Sequence, residues 1–186
     1  MRTFAQFDTL VPEPKLHAVQ KYFADNVRWK YGWPQGNDDP FSHWNVDFLH
    51  SGNLNQEDLE HRLRGNPDFK PLLEIWEVLK AGPMYGHSLV RCYANAHTYG
   101  VEGYLHTDSK RPDNYTSLVY LNPVWKTEWA GELLFYDEGG DVFHAVSPRP
   151  GRVLMFSGNT VHAARAVSRS CPAIRVSLAF KSKVLS

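Results

Sequence analysis

HSLVRCYA (87–94), GYLHT (103–107), YTSLVYLN (115–122), GELLFYD (131–137), DVFHAV (141–146), GRVLMFSG (151–158) and AIRVSLAFK (173–181) are short alternating runs, each bounded by turn residues. Seven such runs in succession predict seven or eight short strands, and therefore a β-sandwich or barrel. The last run is the most explicit. Read with period two, Ala173, Arg175, Ser177 and Ala179 share one face, and Ile174, Val176, Leu178 and Phe180 the other. One face is wholly apolar, and the other carries a single guanidinium among small side chains.

Upstream the pattern is helical. In 12–29, Leu16, Val19, Phe23 and Val27 recur at three-to-four spacing behind a proline-bearing start. A short helix is expected over 56–64. A longer one is expected over 67–80, capped by Asn66, opened by Pro67 and stopped by Gly82-Pro83, with Leu72, Ile75, Trp76 and Leu79 as its apolar stripe. Residues 31–53 follow neither period and read as a long loop, or a loop with short strands. No composition shift marks a linker. The expectation is one domain over 1–186, with 1–85 a mostly helical buttress and entrance loop and 86–183 the β-rich core.

Composition narrows the classes of function. The chain has 186 residues, 42% hydrophobic and 22% charged, ordinary for a globular protein. Lys+Arg and Asp+Glu are both 20, so there is no basic excess of the kind that nucleic-acid binding uses. That balance permits self-association without requiring it. No apolar run is long enough to span a bilayer, and residues 1–10 do not read as a signal peptide. Two cysteines without a CxxC give no disulfide framework, which suggests a reducing cytoplasm. Aromatics stand at 13%, with six Trp, several in polar, Pro- and Gly-punctuated chain. That distribution suits a ligand-facing surface as well as core packing.

Three places can carry chemistry. His106 and Asp108, two apart on extended chain, point to one face and can bind one ion. Alone, the same HTD is a surface histidine beside a turn aspartate. His162 lies 54 residues beyond Asp108, in GNTVHAARAV (158–167), next to a predicted strand. It supplies the third ligand that a two-histidine-one-carboxylate Fe(II) site needs, leaving other positions open. Alone, it is equally a satisfied buried histidine. Arg175, if inward, needs a carboxylate partner, and its planar fork suits one end of a dicarboxylate. Alone, it is equally a solvated arginine on an edge strand.

Taken together, these residues and their surroundings resemble a known family. RCYANAHTYGVEGYLHTD (91–108), SLVYLNPVW (117–125), AGELLFYD (130–137), PRPGRVLMFSGNTVHAARAV (148–167) and RVSLAF (175–180) resemble successive parts of the Fe(II)- and 2-oxoglutarate-dependent dioxygenases of the prolyl hydroxylase type. The resemblance covers residues 90–183, about half the chain. It implies a double-stranded β-helix, a cupin-like jelly roll, with flanking helices. It implies that His106, Asp108 and His162 bind iron and that Arg175 binds the distal carboxylate of 2-oxoglutarate. Tyr93 and Tyr120 match positions that offer hydroxyls to the cosubstrate, and O₂ is the co-reactant, with ascorbate an optional reductant. Some relatives place a hydroxyl four residues after the arginine. Ala179 stands there instead, and Ser177 on the same face is the candidate substitute. Simple alternation would also put Arg91 on the face of Tyr93, unless a bulge intervenes. The carboxylate at Asp108 favours hydroxylation over halogenation.

The implied reaction is hydroxylation of an unactivated C–H bond with release of succinate and CO₂. The substrate expected first is a prolyl residue in a peptide or protein, or free proline, and next another amino acid or small metabolite. Trp33, Phe41, Trp44 and Phe48, with Arg111 in SKRPDNY (109–115) and Trp125, are candidates for the entrance wall, though aromatic residues there equally suit packing of the loop onto the barrel. A non-catalytic metal- or small-molecule-binding jelly-roll module is the alternative from another class, and Arg175 with Tyr93 and Tyr120 is the feature that discriminates the two: an outward Arg175 would remove the cosubstrate site. A zinc hydrolase would need a water-activating base, and no HExxH or similar pattern is present. Since imidazoles bind metal only when neutral, Fe(II) affinity is expected to fall at acidic pH.

Overall fold

The computed structural model describes residues 4–33, 42–50 and 58–185. The chain runs β1 (Phe4–Phe7), α1 (Glu13–Asp25), β2 (Lys30–Trp33), β3 (His43–His50), α2 (Glu60–Gly65) and α3 (Lys70–Lys80). It continues β4 (His87–His97), β5 (Asn114–Tyr120), β6 (Leu133–Tyr136), β7 (Val142–Val146), β8 (Val153–Ser157), β9 (His162–Ala164) and β10 (Arg175–Val184). The strands form a seven-stranded sheet ordered β1-β8-β5-β10-β4-β3-β2 and a three-stranded sheet ordered β7-β6-β9. All their pairings are antiparallel. This is the jelly-roll core with flanking helices.

Period two in the large sheet divides two cores. Val119, Val153, Met155, Leu178 and Phe180 face the helices, where Val19 and Phe23 of α1 and Leu72, Ile75, Trp76 and Leu79 of α3 meet them. Leu118, Tyr120, Leu154 and Phe156 face the small sheet and close on Leu133, Phe135, Val146 and Ala164. The inner faces of β10 and β4 are the exception. Arg175 and Ser177 lie buried there among few apolar neighbours, and this polar gap between the sheets is where the site forms.

The helices follow the sequence closely. Pro12 and Pro14 open α1, where an unsatisfied N–H costs nothing. The segment from 67 begins as a 3-10 turn, Pro67–Phe69, with the Asn66 side chain accepting from Asp68 N at 3.1 Å, and then becomes α3. The short helix expected over 56–64 is α2, Glu60–Gly65, and residues 56 and 57 of that span lie outside the described residues. One expectation is corrected, and two elements are added. GYLHT forms no ladder strand, and only His106 makes a bridge, to His162. Phe4–Phe7 is a strand, paired with β8. Of the two readings of 31–53, a loop with strands is the one found: β2 and the eight-residue β3 join the sheet edge. In β3 the most buried positions include His43 and Asn45, so polar residues occupy the alternation that apolar ones usually reveal.

Candidate active site

Two backbone hydrogen bonds, His106 N to His162 O at 3.1 Å and His162 N to His106 O at 3.0 Å, pair these residues directly. Directly paired residues in an antiparallel bridge project to the same side. Their ring centroids accordingly lie 4.4 Å apart. Asp108 faces both rings, Oδ1 3.6 Å from His106 Nε2 and Oδ2 3.7 Å from His162 Nε2. One ligating atom from each of the three lies within 4.8 Å of the others.

The other ring nitrogens are fixed. His106 Nδ1 contacts Tyr104 O at 2.9 Å and His162 Nδ1 contacts Thr160 O at 2.8 Å. A carbonyl only accepts, so each Nδ1 carries the proton and each Nε2 lone pair faces the shared space. Gly158 lets the Asp108 loop approach β5. Its carbonyl accepts from Ser109 N and its N–H donates to Asn114 O, both at 2.8 Å. A Cβ there would sit 3.0 Å from Ser109 Cβ and 3.1 Å from Asn114 O.

Asp108 is held from behind. Thr116 Oγ1 donates to its Oδ2 at 2.5 Å, and Lys181 forms an ion pair with the same oxygen. Lys181 Nζ also donates to Thr116 Oγ1 at 2.9 Å and to the Tyr93 phenol. Burial alone would raise the Asp108 pKa, but Lys181, His162 and His106 hold the carboxyl well below the usual carboxylate range. Burial lowers the His162 pKa to about 4, only partly opposed by Asp108, so this imidazole is neutral through the physiological range. The donor set is therefore two imidazole nitrogens and a carboxylate, which suits Fe(II).

Behind the cluster a narrow cavity of about 50 Å³ reaches Arg175, Ser177, His97 and Asn95. Arg175 is 3% exposed and donates Nη1–H to Gly131 O at 2.6 Å, while its Nε has no partner among the described residues. Gly131 sits at φ +80°, and a Cβ on it would meet Arg175 Cδ at 3.2 Å and Trp125 at 3.3 Å. Tyr120 Oη, Asn95 Oδ1 and both ring nitrogens of His97 are likewise buried without partners among the described residues. Burial, with Arg175 and His43 nearby, keeps His97 neutral. Unsatisfied buried polar groups are costly and point to an occupant. A dicarboxylate with a keto oxygen supplies the acceptors that Arg175 and Tyr120 lack. Tyr93 lines this cavity and the next, and burial raises both tyrosine pKa values, so their hydroxyls keep their protons.

On the open side lies a pocket of about 200 Å³, lined by His43, Arg91, Asn95, Tyr104, Thr107 and Lys181 around the ligand residues. The candidate entrance residues fare unevenly. Trp44 lies next to His43 on the strand, and so on its other face, against Tyr31 at 5.0 Å. Arg111 forks onto Asp113 in solvent at 3.2 Å. Phe48 packs against Phe23 and Phe69. Trp125 donates to Ala130 O at 2.9 Å and packs beside Gly131, behind Arg175. Phe41 and the Trp33 side chain lie outside the described residues. Arg91 and Tyr93 do share a face, with the guanidinium 4.6 Å from the ring centre. The β4/β10 register shift falls just before them, between the pairs Arg91–Lys181 and Leu89–Ser182. Lys181, Thr116 and His97 escaped the sequence reading. The available signal was that Lys181 continues the Arg175, Ser177, Ala179 face by one more step of two.

A jelly roll with a two-histidine-one-carboxylate cluster beside a buried arginine is the arrangement in which non-haem Fe(II) oxygenases hold their metal. Residues 91–180 match the model of the 2OG-Fe(II) oxygenase superfamily, whose chemistry uses Fe(II), 2-oxoglutarate and O₂. Among solved structures, a Pseudomonas putida prolyl-4-hydroxylase is similar with a TM-score of 0.65 at 18% identity, over 100% of this chain and 95% of that one. A Trichoplax adhaerens prolyl hydroxylase, solved with a hypoxia-inducible-factor peptide fragment, is similar with a TM-score of 0.69 at 14% identity, over 97% and 83%. The 2-oxoglutarate-dependent epimerase SnoN of nogalamycin biosynthesis is similar with a TM-score of 0.64 at 15% identity, over 98% and 79%. At these identities the likeness is one of fold. No curated protein matches. Among the described residues no helix is long and apolar enough to cross a membrane.

Proposed function

We propose that this dioxygenase hydroxylates an unactivated C–H bond of a prolyl residue in a peptide or protein, or of free proline, releasing succinate and CO₂. The observation that carries the oxygenase reading is the cluster of His106, Asp108 and His162, its lone pairs oriented by Tyr104 O and Thr160 O, opening onto Arg175. Iron and 2-oxoglutarate, when bound, supply the oxygen activation. The chain's residues hold and shield them. His106 Nε2, His162 Nε2 and Asp108 Oδ1 are the metal-binding atoms in this reading, and Thr116 and Lys181 occupy Asp108 Oδ2. Arg175 takes the distal carboxylate, with the hydroxyls of Tyr93, Tyr120 and Ser177 around the cosubstrate. Phe156 and Phe135 pack on His162, with ring centroids at 4.9 and 6.0 Å, and exclude water from that side.

A second substrate reading, a different amino acid or a small metabolite, is supported by the polar lining of the outer pocket, which is not a ring-shaped apolar slot. A cytoplasmic location, suggested by two free and buried cysteines, belongs to the same proposal. The test is an anaerobic titration with Fe(II) and then 2-oxoglutarate, followed by visible absorption. A weak charge-transfer band that is lost in His162→Ala is the expected result. Succinate release against proline, prolyl peptides and other amino acids then identifies the substrate. A folded protein that binds Fe(II) without the band would overturn the oxygenase reading in favour of a metal-binding module.

A further inference from the structure

β10 begins at Arg175, so the residue given to the distal carboxylate sits at a strand end, where ladders fray. On one edge it pairs with His97 of β4. On the other edge the paired residues of β5 end at Tyr120, opposite Ser177. Continuing that register puts Leu121 opposite Val176, and Leu121 N donates to Val176 O at 3.0 Å. The return bond does not go to Leu121. Val176 N donates instead to the side-chain Oδ1 of Asn122 at 2.7 Å, and Asn122 Nδ2 donates to Ile174 O at 2.6 Å. Pro123 follows, with no N–H to extend the ladder.

The Asn122 amide therefore replaces a strand backbone, its oxygen accepting and its nitrogen donating. The two groups it holds belong to the peptide planes on either side of the Arg175 Cα. The angle between those planes sets φ and ψ, and with them the direction in which the side chain leaves the strand. Asn122 is 8% exposed. It lines a groove on the helix-facing side of β10, with Phe23, Trp29 and Val176, and not the narrow cavity that Arg175 lines. It reaches the cosubstrate only through the arginine. That arginine is also fixed at its tip, where Nη1 donates to Gly131 O at 2.6 Å. A side chain anchored at its tip tolerates little error at its root.

We infer that Asn122 is a positioning residue of the cosubstrate site, setting the backbone of Arg175 so that its guanidinium meets the distal carboxylate. This inference rests on the dioxygenase reading and deepens it.

The experiment titrates Fe(II)-loaded protein under argon with 2-oxoglutarate and with 2-oxopentanoate, which has the same carbon chain without the distal carboxylate. Calorimetry reads both affinities. Asn122→Leu keeps the volume and loses both bonds. It should weaken 2-oxoglutarate binding about tenfold, the size of one charge-assisted hydrogen bond. Fe(II) and 2-oxopentanoate affinities should stay within about twofold of the wild type. In an Arg175→Met background the same change should have no further effect, because it acts through the arginine. Leu79→Ala empties a buried position in α3, so it lowers stability away from the site and should leave 2-oxoglutarate affinity unchanged. Where Asn122→Leu does not fold, Asn122→Ser, whose single hydroxyl cannot serve both peptide groups, is read in the same way. Unchanged 2-oxoglutarate affinity, equal losses for the two oxo acids, or an undiminished loss in the Arg175→Met background would each overturn the inference. Two controls separate its failure from that of the reading beneath it. If the charge-transfer band is absent in the wild type, or Arg175→Met does not weaken 2-oxoglutarate binding, the cosubstrate site itself falls and takes the inference with it. If both controls hold and the Asn122 variant binds as the wild type does, only the positioning role falls.

Discussion

Replacing Arg175 with methionine tests the cosubstrate site at its most buried point. The guanidinium is 3% exposed and donates to Gly131 O at 2.6 Å, with Nε unpartnered among the described residues. A charge-assisted hydrogen bond contributes about 1.5–3 kcal/mol, and a fork makes two in parallel. Loss of at least about 2 kcal/mol weakens 2-oxoglutarate binding by roughly 30-fold. The fold responds differently. Methionine fills similar volume and removes a desolvated cation, but it leaves the Gly131 carbonyl without its donor, a cost of about 1–3 kcal/mol that the first effect partly offsets. The variant should therefore stay folded, bind Fe(II) normally and lose cosubstrate affinity. Arg175→Lys keeps the charge without the fork and should fall between, about tenfold weaker than wild type. The assay is anaerobic titration of 2-oxoglutarate into the Fe(II)-loaded protein, read by the charge-transfer band, alongside urea unfolding. If the methionine variant binds 2-oxoglutarate within threefold of the wild type, the assignment of Arg175 to the distal carboxylate is refuted.

Thr116→Val removes one donor to Asp108 Oδ2 with little change of shape and should weaken Fe(II) binding about tenfold, as loss of a group that orients a ligand does. Unchanged affinity in a metal titration would count against the role given to Thr116. Phe156→Ala empties a fully buried ring position between the sheets and should cost about 3–5 kcal/mol in urea unfolding. Glu60 accepts from Trp76 Nε1 at 2.9 Å and from Arg64 and Lys80, and although burial opposes it, these partners hold its pKa at about 2 instead of 4.5. A lowered carboxylate pKa stabilises the fold above the unfolded value, so Glu60 contributes fully above pH 4.5 and its contribution fades as pH falls towards 2. Wild-type and Glu60→Gln stability should differ near neutrality and converge in that window. His162 takes up a proton only near pH 4, so the loss of Fe(II) affinity linked to this ligand should centre there and not near 6.5, as equilibrium metal binding across pH would report.

What was legible in the sequence followed the periodicities. In α3 the stripe of Leu72, Ile75, Trp76 and Leu79 is fully buried as its spacing predicts. In β10 both faces behave as period two requires, with Leu178 and Phe180 towards the helices and Arg175 and Ser177 inward. The failures occur where that signal is absent. β3 carries His43 and Asn45 at buried positions, so an eight-residue strand looks like loop. β9 has three residues, too few for any period to register, yet it holds His162. GYLHT alternates convincingly, but its backbone bonds go to single partners at Ala164 and His162, and no ladder forms. The ligands are legible as residue types at a spacing, whereas Thr116 becomes visible only when β5 and β10 lie side by side.

The same two strands show why one sheet can be both core and site. Each residue of β10 that faces the helices has an inward neighbour one step away, and Leu178 and Phe180 anchor the strand against Trp76, whose ring stacks on Phe180 at 5.7 Å. Apolar burial on one face therefore fixes the position of polar groups on the other, which by themselves oppose folding. Arg175 and Lys181 lie six residues apart on a strand whose apolar face is fully engaged, so neither can move without drawing Leu178 and Phe180 out of the helical core. Rigid support of this kind is what a site needs when its buried polar groups wait for an occupant. It also explains why Trp44 faces away from the pocket while its neighbour His43 lines it: successive residues of β3 point to opposite faces, and the pocket wall is built from β3, β4, β10 and the 104–108 segment.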